Sequence, residues 1–151
     1  MKIERILFPT DFSEGSYYAL PYAVDLARFY NARLYILHVI YDVVKVTGWY
    51  VPHVPIEELY KDMTEHAWKE MERCCIEETR GLQNVEKMVI KGIPSDEILR
   101  YASEEKIDMI VMGTQGRTGI DRIIFGSTAE KVVKRAPCPV LTVRATEQKR
   151  Q

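Results

Sequence analysis

Met109-Ile110-Val111-Met112 carries no polar side chain, and the chain then turns abruptly to Gly113. Successive side chains of a strand point to opposite faces. A strand that is apolar on both faces must be covered on both, which is the mark of a parallel sheet packed between helices. That constraint organises the rest of the chain. Ile6-Leu7-Phe8 is a short apolar run halted by Pro9, and Arg33–Val39 is a second buried run. "VEKMVIKG" alternates up to Gly92, and "PVLTVR" closes the series at Arg144.

Helical spacing fills the gaps. Ala19, Ala23, Leu26, Ala27 and Tyr30 recur every three or four residues, so a helix is expected from Ser16 to Tyr30, with Pro21 kinking it or delaying its start. Leu59, Met63, Ala67, Met71 and Cys74 or Cys75 predict a long helix from Ile56 to Arg80, ended by Gly81. "PSDEILRYASEEK" predicts a helix opening at Ser95, with Ile98, Leu99 and Ala102 inward and Asp96 and Glu97 suiting its positive end. "TAEKVVKRAP" is a shorter helix stopped before Pro137. Residues 41–55, with Gly48, Pro52 and Pro55, read as a long loop. The order β-α-β-α-β-α-β-α-β implies a doubly wound five-stranded α/β sheet with right-handed crossovers, in one domain spanning 1–151 with a frayed tail at 144–151.

The balance of charge excludes some partners. Lys and Arg number 21 against 22 Asp and Glu, for a net charge of -1. Neither a nucleic-acid surface nor an anionic membrane is advertised. No run reaches the roughly 18 apolar residues of a membrane span, and the apolar run at the N-terminus is too short for a signal peptide. Cys74, Cys75 and Cys138 form no disulfide framework, so a reducing, cytoplasmic setting is expected.

The chemistry concentrates after the fourth strand, in "GTQGRTGIDRIIFGST", Gly113 to Thr128. Ligands of open α/β sheets bind beyond the carboxyl ends of the strands, where strand order reverses. Gly113 and Gly116 suit positive φ and a close approach of backbone N–H groups to a ligand. Gly126-Ser127-Thr128 opens the next helix, whose free N–H groups and positive end suit a phosphate. The same glycines also suit a plain turn with a capping serine. Neither GxxxxGK[ST] nor GxGxxG is present.

The spacing Gly113-x2-Gly116-x9-Gly126-Ser127 resembles the signature of the universal stress protein family in its ATP-binding branch. The resemblance spans nearly the whole chain: "ILFPTDFSEGS", "LYILHV", "GIPSDEIL" and the stretch from Ile107 to Arg144 are all similar to the family pattern. It implies a sheet of order 3-2-1-4-5, Rossmann-like and akin to the adenine nucleotide alpha hydrolases. It further implies that Pro9, Thr10 and Asp11 lie against a nucleoside, with Asp11 accepting from a ribose hydroxyl. A carboxylate suits that role, and it equally suits capping the following helix. Val39 would read adenine through its backbone. Met112 and Gly113 would flank the ribose, Thr114, Gln115, Gly116, Arg117 and Thr118 would form the phosphate loop, and Gly126, Ser127 and Thr128 would hold the β and γ phosphates.

No catalytic residue and no metal-ligand set is evident. His38 sits at the ligand edge but reads as a packed or hydrogen-bonded residue, and His53 and His66 lack partners at metal spacing. Trp49 and Tyr50 read as packing, Cys138 as a small buried residue. The resemblance thus implies an ATP-binding stress protein, with Mg²⁺ or Mn²⁺ held through the phosphates and with slow or partner-dependent hydrolysis. ADP or AMP sensing and a dimeric interaction module without nucleotide are the rival readings. The apolar edge Pro139–Arg144 suits a homodimer, and a protein partner of unknown kind is expected.

Overall fold

The computed structural model describes residues 1–48, 55–115 and 125–145. Among them, β1 (Arg5–Pro9), α1 (Glu14–Tyr17), α2 (Leu20–Tyr30), β2 (Arg33–Tyr41), α3 (Val43–Thr47), α4 (Ile56–Arg73), β3 (Val85–Gly92), α5 (Pro94–Glu104), β4 (Met109–Gly113), α6 (Ser127–Arg135) and β5 (Val140–Val143) follow in order. The five strands form one sheet of order β3-β2-β1-β4-β5, every neighbouring pair parallel. The doubly wound architecture and its strand order are therefore as expected. The chain reverses its direction of winding between β1 and β4.

The alternation of strand side chains splits the core in two. Ile6, Phe8, Leu34, Ile36 and Val111 pack on one face with Ala23, Val24 and Ala27 of α2 and Met71 of α4. Leu7, Tyr35, Leu37, Ile110 and Met112 pack on the other with Ile98 and Ala102 of α5 and Ala129 and Val132 of α6. The unbroken apolar run that opened the sequence reading serves both clusters at once.

Local details depart from the periodicity. The helix expected from Ser16 to Tyr30 is two pieces: α1 ends at Tyr17, and α2 restarts with Pro21 in its first turn. Proline has no N–H to give and is tolerated there, so it marks a late start rather than a kink. The helix expected to reach Arg80 stops at Arg73, because Cys74 is extended and Cys75 turns left-handed at φ +65°. Gly81 is left-handed too, at φ +84°, but it lies in the turn beyond the helix. Ser95 does not open α5. Pro94 does, after Ile93, and Ser95 is buried inside. The stretch expected to be all loop contains α3, capped by Asp42, whose Oδ1 accepts from Lys45 N at 3.0 Å, and closed by left-handed Gly48. Its Val-rich sequence favours strands and hid the helix. Trp49, Tyr50 and His53 lie outside the described residues, as do 116–124 and 146–151.

Two glycines fasten the ligand edge. A Cβ on Gly113 would stand 2.4 Å from Gly15 O and 3.2 Å from Ser16 Cα. A Cβ on Gly15 would stand 2.5 Å from Gln115 O. The entry to α1 thus rests directly on the end of β4, backbone against backbone. Gly113 keeps strand backbone and a non-positive φ, which corrects the expectation made from sequence: it is glycine to admit another backbone, with no left-handed turn involved. Because the obstructing atoms are main chain, neither can swing aside. Gly113→Ala and Gly15→Ala should each cost about 1–3 kcal/mol, the range for overpacking, read as a lower urea midpoint at unchanged slope.

Candidate functional site

A cavity of about 640 Å³ opens over the carboxyl ends of the strands. Its volume suits a nucleotide-sized molecule. Pro9, Thr10 and Asp11 reach it from the end of β1, and Val39 from β2. Met112, Gly113, Thr114 and Gln115 reach it from β4, and Gly126, Ser127 and Thr128 from the start of α6. The structure therefore brings together every described residue of the expected set. Gly116, Arg117 and Thr118 lie outside the described residues.

The loop after β1 is held from within. Asp11 Oδ1 accepts from Ser13 N at 3.0 Å and from Ser13 Oγ. Ser13 caps α1, its Oγ accepting from Ser16 N at 3.2 Å. The capping role considered for Asp11 thus belongs to Ser13, and the Asp11 carboxylate steadies that cap instead. Thr10 Oγ1 accepts from Phe12 N at 3.0 Å and shares a 2.8 Å bond with Ser16 Oγ. Phe12 itself is left-handed, φ +61°, a strained backbone for a bulky residue. Its ring stacks on His38, 4.2 Å between centroids. His38 is buried, and its Nδ1–H donates to the Thr10 carbonyl at 2.8 Å. The histidine is therefore a hydrogen-bonded support for this loop, as the sequence suggested.

The other side of the cavity is formed by the start of α6. Gly126 caps α6 without a side-chain hydrogen bond. Ser127, Thr128 and Ala129 occupy the first turn, where N–H groups have no acceptor within the helix. Gly126 N donates to Thr114 O at 2.6 Å, and Thr114 N to Val143 O at 3.0 Å, tying the helix start to β4 and β5. The Thr114 hydroxyl is buried beside this junction and has no hydrogen-bond partner among the described residues. Such an orphaned group marks a place where a polar atom is wanted. No cluster of three His, Cys, Asp or Glu side chains able to hold a metal occurs among the described residues.

Helix α4 supplies a wall that sequence reasoning missed. Met63, His66, Ala67 and Glu70 line the cavity from it. The signal was present: the apolar stripe Met63–Ala67–Met71 faces the sheet, and its upstream half overhangs the strand ends. Tyr41, at the end of β2, completes the mouth. Just beyond it, Asp42 Oδ1 accepts from Tyr60 Oη at 2.9 Å, and the Lys91 ammonium sits 4.1 Å over the Tyr60 ring.

The universal stress protein family model matches residues 2–144. The chain belongs to that family. It is 36% identical over 147 residues to universal stress protein MJ0531 of Methanocaldococcus jannaschii, covering 93% of this chain and 82% of that one. The solved structure of MJ0577, from the same organism, superposes with a TM-score of 0.85 at 31% identity, covering 98% of this chain and all of that one (100%). A universal stress protein solved in complex with cAMP superposes with a TM-score of 0.61 at 25% identity, covering 97% of this chain and 100% of that one.

The Asp42–Tyr60 contact beyond the mouth is expected to depend on pH. The Lys45 N–H and the Tyr60 hydroxyl hold the Asp42 carboxyl below its ordinary range. A carboxyl lowered in the folded state stabilises above its unfolded pKa, and that contribution disappears as pH falls through the folded value. Acidification below the ordinary Asp range should loosen α3 from α4, seen as an NMR shift of the Tyr60 ring. Asp42→Asn should abolish that transition.

Proposed function

We propose that this chain is an adenine-nucleotide-binding universal stress protein of the ATP-binding branch, one such domain across residues 1–151. The observation that carries the reading is the bare N-terminus of α6, opening into the same cavity as Asp11 and the end of β2. A helix start of this kind offers N–H donors and a positive end to phosphate. Asp11 has the chemistry to accept from a ribose hydroxyl, and the Val39 backbone lies at the base end. Gly126, Ser127 and Thr128 hold the terminal phosphates, and the family resemblance assigns Gly116, Arg117 and Thr118 to phosphate binding with Thr114 and Gln115. The buried Thr114 hydroxyl and the cavity volume fit such a ligand. Mg²⁺ or Mn²⁺ would be carried on the phosphates.

ATP is the preferred ligand, and the protein works as a nucleotide-dependent switch. Among the described lining residues the ionisable groups are Asp11, His38, Tyr41, His66 and Glu70. Phosphoryl transfer needs charge neutralisation and a positioned nucleophile. Turnover is expected to stay below about 1 s⁻¹ unless a partner protein assists. The cAMP-bound relative supports a second reading, a monophosphate sensor using the nucleoside half of the same site. A homodimer forms through β5, which pairs on one side only and leaves Leu141 37% exposed. An interaction module without nucleotide is the rival class, and the cytoplasm is the proposed location.

Protein purified without added nucleotide, then denatured, should release ATP or ADP close to one per chain by chromatography and mass spectrometry. Asp11→Ala should weaken ATP binding about 10- to 100-fold in calorimetry, the worth of a hydrogen bond to a charged group. Empty protein that also ignores Mg-ATP would leave the interaction-module reading in its place, and tighter binding of AMP than ATP would favour the monophosphate sensor.

A further inference from the structure

Helix α4 walls the cavity on the side opposite α6. Met71 of α4 packs with Leu34 and Ile36 of β2 on one face of the sheet. Ala129 and Val132 of α6 pack on the other face. A ligand with its phosphates at the start of α6 therefore turns its far end toward β2 and α4. Met63, His66, Ala67 and Glu70 line the cavity from α4. Residues three and four apart share one face of a helix, so these four form a single stripe. Met63 and Ala67 make it apolar, and Glu70 puts a carboxylate in it.

That carboxylate differs from others on the helices. Glu97, Glu104 and Glu130 each pair with an Arg or Lys three or four residues away. Glu70 is partly buried, and its side chain makes no hydrogen bond or ion pair with a described residue. Its backbone is held firmly. Glu70 O accepts from Cys74 N at 2.8 Å. Lys87 reaches from β3 to donate to Met71 O at 2.9 Å and Cys74 O at 3.0 Å, which pins the end of the helix. Ala67 and Met71, on either side, are buried at 4% and 0% exposure. The helix is thus anchored with the carboxylate at the cavity wall. A ligand that displaces water there must supply a hydrogen-bond donor, because an unpaired charge is costly to desolvate.

We infer that Glu70 is a specificity-determining residue of the nucleotide site, its carboxylate accepting a hydrogen bond from the 6-amino group of the bound adenine. The inference rests on the nucleotide reading given above. An ionised carboxylate only accepts. Adenine carries a donor at that position, whereas guanine carries an oxygen acceptor, as does hypoxanthine. A carboxylate facing the oxo group sets lone pair against lone pair with no proton between them. The backbone of Val39 offers both an N–H and a C=O, so a small tilt of the ring lets it meet either kind of base. Glu70 has one sign only and removes that tolerance. A site built around a hydrogen bond strongly rejects the analogue that lacks it.

The test titrates the full chain in a calorimeter with Mg-ATP and with the Mg complex of purine riboside triphosphate, which is ATP without the 6-amino group. The wild type should prefer ATP by about tenfold or more, the worth of a hydrogen bond to a charged group. Glu70→Ala should weaken ATP by about that factor, leave the purine analogue within about twofold, and so erase the preference. Glu70→Gln keeps a carbonyl acceptor and should restore part of it. A merely structural role would weaken both ligands alike in Glu70→Ala, and that result would overturn the inference. Inosine triphosphate binding the wild type as tightly as ATP would overturn it too. So would a Glu70→Ala loss that vanishes with 2'-deoxy-ATP, since the carboxylate would then be reading the ribose. Equal affinity of the wild type for ATP and the purine analogue would sink the inference alone. A wild type that binds neither would remove the nucleotide reading and the inference with it.

Discussion

The contact between Gly15 and Gly113 is the constraint on which the ligand edge depends. Two main chains meet there with no side chain between them, so the entry to α1 lies against the end of β4. That approach sets where the loop after β1 can run. It carries Asp11 over the reversal point of the sheet and lets Ser13, Thr10 and Ser16 lock the loop from below. Phe12 absorbs the remaining bend in a left-handed backbone and is held there by stacking on His38. A wider separation at the glycines would leave this network without its anchor.

From that anchor the site is assembled by three elements with different physics. The β1 loop supplies a carboxylate held by the hydroxyl and the N–H of Ser13. Helix α6 supplies first-turn N–H groups that have no acceptor within the helix, fixed in place because Gly126 and Thr114 stitch its start to β4 and, through Val143, to β5. Helix α4 supplies an overhanging wall that joins the cavity to the core through Met71 and the two cysteines. In the proposed function the first two would face the sugar and the phosphate of the nucleotide. The third ties the cavity to the core through Met71.

Much of this was legible beforehand because it follows from short-range rules. Ile6-Leu7-Phe8 and Met109–Met112 are apolar on both faces, and a strand of that kind has few alternatives to a covered parallel sheet. The Gly126-Ser127 helix start was legible for the same reason. Less legible were the ends of elements. Nothing in the stripe from Leu59 to Cys75 announces that Cys75 will turn left-handed, since only glycine usually signals such a turn. Asp42 and Gly48 were a cap and a stop for α3, but the stretch with Gly48, Pro52 and Pro55 read as a long loop.

What the sequence determined by itself was the alternation of strands and helices, the two-faced burial of the strands, and the glycine-hydroxyl spacing after the fourth strand. These depend on neighbours within a few residues, where side-chain periodicity and backbone sterics decide. Only the tertiary structure decided that Gly113 is a packing glycine, that Ser13 rather than Asp11 caps α1, that His66 and Glu70 face the cavity, and that Cys75 turns left-handed past α4. Each of those depends on which distant backbone comes to lie against the residue, and periodicity along the chain carries no record of that.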